Sequence, residues 1–296
     1  MMKWFLIAFL CFGYTQAALA LNPGEQAIKW ATAERNSALG AVAAAEKRVE
    51  SAESDLRISR SVEQDVRTSK DPDAMAVARE AVAISVQGVK EANTLLNRAR
   101  ALLSKQENTL VSIRTSVSEY GGHGAMVIPI NGEVRRSLLG AVTASDTVLP
   151  LRVGERVDVG ANSAAKLFVA RGDAEVDLHE NSSFTVTQDD TGESFEAMLT
   201  QGFARVHAKL KHFLGKKFEV RTPTAILAVR GTDFSVKSLS DASRVEVYEG
   251  TVWVRLPKSE SSVEVHAGEG CEILKDGGIQ PVKMLKRPWS QNAPSR

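Results

Sequence analysis

The sequence is short of the residues that staple or energise small proteins. Only two cysteines, Cys11 and Cys271, occur among 296 residues. Cys11 lies in a leader-like stretch, so a processed chain keeps one cysteine and forms no internal disulfide, even where the compartment permits one. The fold must therefore rest on burial. Cys271, in the alternating stretch GEGCEILKD, reads as a small buried hydrophobe rather than a reactive thiol. Charge of one sign is also missing: 37 Lys+Arg stand against 36 Asp+Glu, the net charge is +1, and no long run of one sign occurs. That removes the basic footprint a nucleic-acid partner requires.

Long hydrophobic runs are absent too. The apolar run in MMKWFLIAFLCFGYTQAALA spans about ten residues, half of the roughly 20 needed to cross a bilayer. It follows Lys3 and ends in Ala18-Leu19-Ala20, the layout of a secretory signal peptide cleaved after Ala20. A lipoprotein anchor on Cys11 is disfavoured because Leu10 stands where a small residue belongs. Residues 1–20 are expected to be a leader, the remaining chain to lie in the periplasm or outside the cell, and no membrane span to remain after cleavage.

Catalytic constellations are lacking as well. His123, His179, His207, His212 and His266 are scattered, with no pair at metal-binding helical spacing. There is no Gly-x-Ser-x-Gly, and LGKK at 214–217 lacks the upstream glycine of a phosphate loop. Asp189-Asp190 sits in TQDDTGES, where Asp and Gly serve the turn itself, and Arg171-Gly172-Asp173 is turn chemistry between strands. No catalytic residue, cofactor or metal is expected, so the chain reads as a non-enzyme.

What is present divides sharply near Tyr120. Residues 21–119 read as one helical domain, which from Glu25 to Ser118 is rich in Ala, Glu, Arg, Ser and Val, with Asp71-Pro72-Asp73 its only strong breaker. The second half of this region carries Met75, Val82, Val89, Leu96, Leu103, Leu110 and Val117 at seven-residue spacing, beside Ala78, Ser85, Ala92, Ala99, Gln106 and Ile113. Such a column is a coiled-coil seam. In the first half Ala31, Ala38, Ala45, Ala52 and Ser59 form the small column and Ile28, Val42, Val49 and Leu56 the large one, with Arg35 and Glu63 breaking it. Two helices of about 45 residues, each roughly 65–70 Å long at about 1.5 Å per residue, are expected to fold back as an antiparallel hairpin. Asp71 caps the second helix and Pro72 occupies its first turn. Pairing between two chains stays open, and with it a homo-oligomer through the coiled coil.

Residues 120–126 read as a glycine-rich linker and 286–296 as a tail. From 127 to 285 the period falls to two, in short runs such as KLFVA, AEVDL, SFTVT, RVEVYEG and TVWVRL separated by Gly, Asn, Asp and Ser. This is an all-β domain. QGFARVHA echoes EGTVWVRL and FEVRT echoes VEVHA, which suggests stacked short strands in a β-solenoid or a wrapped double sheet. The fold class is therefore α and β in separate domains.

One strand is interrupted. In TPTAILAVRGTDFSV, Ala225, Leu227 and Val229 are odd-numbered, whereas Phe234 and Val236 are even-numbered. A one-residue bulge hinged at Gly231 would shift parity in this way and aim Arg230 at a neighbouring carboxylate or carbonyl. Thr222-Pro223 reads as a turn entry. This stretch, with the later RVEVYEGTVWV and EVHAGEGCEI, resembles the FecR protein domain, whose signature here comprises Thr222, Pro223, Ala225, Val229, Arg230, Gly231, Thr232, Phe234, Glu249 and Gly250. The resemblance runs from about Ile130 to Leu285. It implies a bacterial envelope domain of short stacked strands without catalytic activity. Members that control iron-siderophore uptake signal to a sigma factor through a cytoplasmic segment and a membrane helix. This sequence has no match to either.

AKLKHFLGKKF is the most basic segment of the β-region, and Lys209, Lys211, Lys216 and Lys217 could meet an anionic envelope polymer or membrane surface, or form a solvated loop with Leu210, Phe213 and Leu214 inward. The expected function is an exported binding and scaffold module whose hairpin docks an envelope protein or whose β-domain holds a cell-wall polymer. The alternative is a periplasmic signalling module related to FecR-type regulation.

Overall fold

A computed structural model of the protein describes residues 22–69, 71–120, 125–138, 141–144, 148–169, 173–188, 194–209, 217–229, 231–257 and 262–282. The predicted leader with Ala20, the glycines of the linker, His123, His212, Lys211, Lys216 and Arg230 lie outside these residues. Two helices, α1 (Pro23–Ser69) and α2 (Pro72–Tyr120), precede a region of strands. α1 opens with a reciprocal cap: Glu25 N donates to Asn22 Oδ1 and Asn22 N donates to Glu25 Oε2, both at 2.9 Å. α2 opens with Asp71, whose Oδ1 accepts from the amides of Asp73 and Ala74 at 3.0 and 3.3 Å.

The helices run antiparallel within one chain. Ser59 meets Ser85 at 2.9 Å, Arg100 meets Glu46 at 3.1 Å and Arg35 meets Glu107 at 3.6 Å. The seam buries Ala31, Ala38 and Ala45 of α1 and Ala78, Ala92, Leu96, Gln106, Leu110 and Ile113 of α2, so the predicted columns are the contact columns. Arg35 stays at the rim of the seam, where its charge finds Glu107, and the helix continues past it.

The β-region is the double sheet of the two alternatives. The helix-side sheet runs, in spatial order, β4 (Leu149–Leu151), β1 (Ala125–Asn131), β6 (Ala164–Val169), β7 (Ala174–Leu178), the second half of β9 (Ser194–Ala208), β12 (Asp233–Ser238), β13 (Ala242–Glu249), β16 (Gly270–Leu274) and β17 (Ile279–Val282). The far sheet runs β3 (Ala141–Ala144), β2 (Val134–Leu138), β5 (Arg156–Val159), β8 (Ser182–Gln188), the first half of β9, β10 (Lys217–Arg221), β11 (Ile226–Val229), β14 (Thr251–Arg255) and β15 (Ser262–His266). Only β9 and β10 pair in parallel among the described strands. A solenoid of equivalent rungs would instead stack them all in parallel.

Inward residues of both sheets form one core, with Leu167, Val176, Val206 and Val236 from the helix side and Phe184, Leu199, Val220 and Leu227 from the far side. The chain passes from sheet to sheet at residues of positive φ, among them Gly132, Asn162, Asn181, Gly202, Gly231, Gly250 and Gly268. A strand leaving one sheet must turn sharply to face the other, and the left-handed backbone supplies that turn. At Gly202, where β9 crosses, a Cβ would strike Ser182.

The interrupted strand therefore has a different cause from the predicted bulge. β11 belongs to the far sheet and β12 to the helix-side sheet, so Gly231 and Thr232 lie where the chain crosses between them. Val229 and Phe234 both point into the core, but from opposite walls, and parity flips because the chain has changed sheets. The bulge at this place is on the partner strand: Asp233 faces Glu249 while Phe234 faces Val247, leaving Tyr248 as the extra residue.

A second, smaller core joins the helices to the β-region. Ala27, Ala31, Leu110 and Ile113 pack on Met126, Ile128, Val148 and Phe168, on the outer face of the helix-side sheet. Base of hairpin and sheet are thus one packed body.

Candidate functional site: the signature corner and the cleft under the hairpin

The signature residues gather at two neighbouring corners and one buried hairpin turn. Thr222 closes the β10–β11 turn: its amide donates to Ala225 O at 2.8 Å and its Oγ1 accepts from Ala225 N at 2.9 Å. Ser243 of the opposite sheet donates to Thr222 Oγ1 at 2.8 Å and accepts from Thr224 Oγ1 at 2.7 Å. All three hydroxyls are buried, so this trio pins the two sheets together with satisfied polar groups. Pro223 is exposed at the tip, and Ala225, Val229 and Phe234 are buried in the core.

Gly231 and Gly250 explain why two separated motifs travel together. Both have positive φ, +65° and +80°, and a Cβ on Gly250 would lie 2.6 Å from Gly231 O and 3.3 Å from Thr232 Cα. The β13–β14 corner rests against the β11–β12 crossing. Thr232 O accepts from Ala208 N at 2.8 Å and Gly250 O from Ala267 N at 3.0 Å, which ties both corners to adjoining strands. Glu249 is exposed beside them.

From this corner a charge-paired band crosses the outer face of the helix-side sheet. Arg205 donates through Nε and Nη2 to the two oxygens of Asp233 at 3.0 and 2.8 Å. Its guanidinium lies 4.9 Å from the Tyr248 ring. Tyr248 in turn meets Ser235 at 3.0 Å, and Arg244 pairs with the buried Glu246 at 2.7 Å. The bidentate bond to Asp233 outweighs partial burial and holds the Arg205 pKa above its ordinary value. Burial first, and then Glu246, raise the Tyr248 hydroxyl. Asp177 lies opposite Arg205 in the ladder and carries the band to Lys166.

Where the band meets the hairpin there is a cleft of about 330 Å³ lined by Trp30, Glu34, Lys105, Ile130, Lys166 and His179 among others. Lys166 sits 5.8 Å from the Trp30 ring centre and 5.9 Å from that of Phe168. Burial pulls its pKa down, but Asp177 at 2.6 Å and Glu175 at 3.3 Å outweigh this and leave it above the ordinary value. The ammonium is therefore a fixed cation. His179 stacks edge-on to Phe203 at 4.7 Å, and burial lowers its pKa despite Asp177 and Glu180. Trp30 carried a signal in the sequence, as the one aromatic within an otherwise aromatic-free helical stretch from Glu25 to Ser118. Lys166, Asp177 and His179 carried none, because cross-strand register alone brings them together.

The remaining predicted residues lie apart. Lys209 is exposed at the end of β9, its amide bonded to Asp173 O at 2.8 Å. Lys217 opens β10. His207 stands 3.6 Å from Asp233, and His266 is held by Thr251 at 3.1 Å. Cys271 is buried in the sandwich core, and that burial raises its thiol pKa to about 11. Among the described residues no group of His, Cys, Asp or Glu could hold a metal.

A helical hairpin built onto a wrapped double sheet, with paired glycine corners at its centre, defines the class of this molecule. Residues 155–253 match the FecR protein family, and the chain is a FecR-domain protein. That match begins at β5 and ends in β14, so it is narrower than the resemblance read from about Ile130 to Leu285. The strands outside it complete the same two sheets at their edges. Two crystal structures of a candidate anti-sigma factor from Parabacteroides distasonis, at 1.65 and 2.50 Å resolution, are similar at 23% identity and a TM-score of 0.38. In each, the alignment covers 43% of this chain and 59% of that one. No curated protein matches the chain. Among the described residues no helix is long and apolar enough to cross a membrane.

Proposed function

We propose that this protein is a non-enzymatic, exported regulatory module of the FecR type, working through protein contacts made by its helical hairpin. The observation that carries this reading is the shared core of Ala27, Ala31, Ile113, Met126, Ile128 and Phe168. A partner that displaces the hairpin must disturb the helix-side sheet and, through the Lys166–Asp177–Arg205–Asp233 band, load the signature corner. The FecR match favours regulation over a plain scaffold, which reverses the order of expectation drawn from the sequence. An envelope location follows from the predicted leader.

Photo-crosslinking in intact cells tests it. A photoreactive residue at Val86 or Val111 on the hairpin, 45% and 62% exposed, should capture a membrane-embedded receptor or regulator, and Phe168→Asp, which unseats the hairpin base, should alter that regulator's transcriptional output. Capture only of cell-wall polymer, from positions on the β-region alone, overturns the reading.

A further inference from the structure

The hairpin has a second seam. Beside the column that joins α1 to α2, a parallel heptad column on α2 comprises Val77, Ala81, Ile84, Gly88, Leu95 and Leu102, interrupted in its middle by Glu91 and Arg98. Val77 and Ile84 are 68% and 66% exposed, which is costly for residues placed so regularly. The matching flank of α1 presents Ile58 and Val62, 60% and 47% exposed, on the same side of the hairpin. Antiparallel helices turn like flanks toward each other, so the two stripes form one face.

Two observations identify what covers it. First, the face is continuous with an interface already made. Followed toward the base, the same flanks carry Trp30, Glu34, Lys105 and Thr109 into the cleft beside the β-region. The distal part is the bare extension of a docking surface. Secondly, its charges are self-complementary. The contacts of Ser59 with Ser85 and Glu46 with Arg100 set the levels along the rod. At about 1.5 Å per residue they place Arg48 within about 3 Å of the height of Arg98, and Asp55 equally near Glu91, the two levels about 10 Å apart. Arg48, Asp55 and Arg98 enter none of the ion pairs between described residues.

We infer that this face binds a second copy of the chain, antiparallel, about a two-fold axis between the basic and acidic levels. The inference rests on the hairpin being a contact surface and names its partner. The rotation sets α1 against α1 and α2 against α2. Arg48 then meets the partner's Asp55, and Glu91 the partner's Arg98. Ile58 and Val62 reach the level of the partner's Ala44 and Ala41, where small side chains leave room, Ile84 reaches the level of the partner's Lys105, and Gly88 that of the partner's Leu102. Each tip, about 30 Å beyond the axis, ends at the height of the other copy's cleft. A heterologous contact would have no reason to match its own charges under rotation; an isologous one must.

Light scattering on the purified protein should give twice the chain mass. Arg98→Glu should raise the dimer dissociation constant about tenfold, and Glu91→Arg/Arg98→Glu, which restores the pairing across the axis, should return it to within about threefold of the starting value. Oxidation of Gly88→Cys/Leu102→Cys should give a covalent dimer, whereas Gly88→Cys alone and Val86→Cys on the opposite flank should not. A monomer at about 100 µM, a charge swap no better than the single change, or a dimer from Gly88→Cys alone each overturns the inference. A monomer whose hairpin is still captured by a membrane regulator in cells would leave the proposed function standing and remove only this partner.

Discussion

The helical hairpin and the β-sandwich hold themselves together in opposite ways. The hairpin seam is built from alanines and half-buried aliphatics over a long, thin contact, and leaves Ile58, Val77 and Ile84 in water. The sandwich surrounds Phe184, Phe195, Phe218 and Phe234 almost completely, with Phe195 and Phe218 stacked at 5.0 Å across the parallel pair of strands. Each alanine of the seam contributes little transfer energy, so the hairpin depends on length and on its seat in the second core. The sandwich depends on a dense interior and on corners such as Gly202 and Gly250, where an added side chain would collide with the neighbouring chain. One half spreads its stability over many small contacts, and the other concentrates its vulnerability.

The sharpest way to break that contrast is to cut equally in both halves. Phe234→Ala should cost about 3–5 kcal/mol in chemical denaturation. Leu103→Ala, half-buried on the hairpin, should cost about 1 kcal/mol. Similar losses would show that the seam is packed as tightly as the sandwich.

Within the sandwich, Gly250→Val should cost about 3 kcal/mol or more, since its side chain collides with Gly231 O and its φ of +80° is strained for any branched residue. Gly231→Val has open space around it and φ of +65°, so only the backbone term of about 1–2 kcal/mol applies. Urea midpoints in that order confirm a two-sheet corner. The reverse order would revive a bulge centred on Gly231.

A pH scan sharpens the same picture. The Cys271 thiol is raised from 9.0 to about 11 in the folded state, so its protonated form is favoured by folding. That contribution is full below pH 9 and is lost as pH rises toward 11, roughly 2–3 kcal/mol in all. Cys271→Ala should flatten this part of the stability profile, and a thiol reagent at pH 8 should label wild type only as it unfolds.

The smallest effect belongs to the cleft. The folded state lowers the His179 pKa through burial, so the stability it contributes is present above its ordinary value of about 6.5 and lost as pH falls below it. His179→Phe should remove that acid sensitivity, seen as a smaller drop in Tm between pH 7.5 and 5.5.

Local pattern made much of this molecule legible. The seven-residue columns from Met75 to Val117 need only helical periodicity, because a helix repeats every 3.6 residues whatever lies around it. Asp71-Pro72 and Asn22 with Glu25 are caps whose chemistry reaches no further than three residues. The parity flip between Val229 and Phe234 was equally visible, yet its cause was not. A change of face within one sheet and a passage to the opposite sheet write the same letters, since both bring an even-numbered residue inward after an odd-numbered one. Only the pairing of β11 with β14 and of β12 with β9 separates them.

The amino-acid sequence by itself determined that two capped helices would pair along alanine columns, that short strands would follow, and that glycines would stand at the breaks. Tertiary structure alone decided that Gly231 and Gly250 touch, that Lys166 lies beneath Trp30, and that Arg205 grips Asp233. Those contacts join residues distant in the chain, and strand register and sheet order, which no short-range periodicity encodes, choose which distant residues meet.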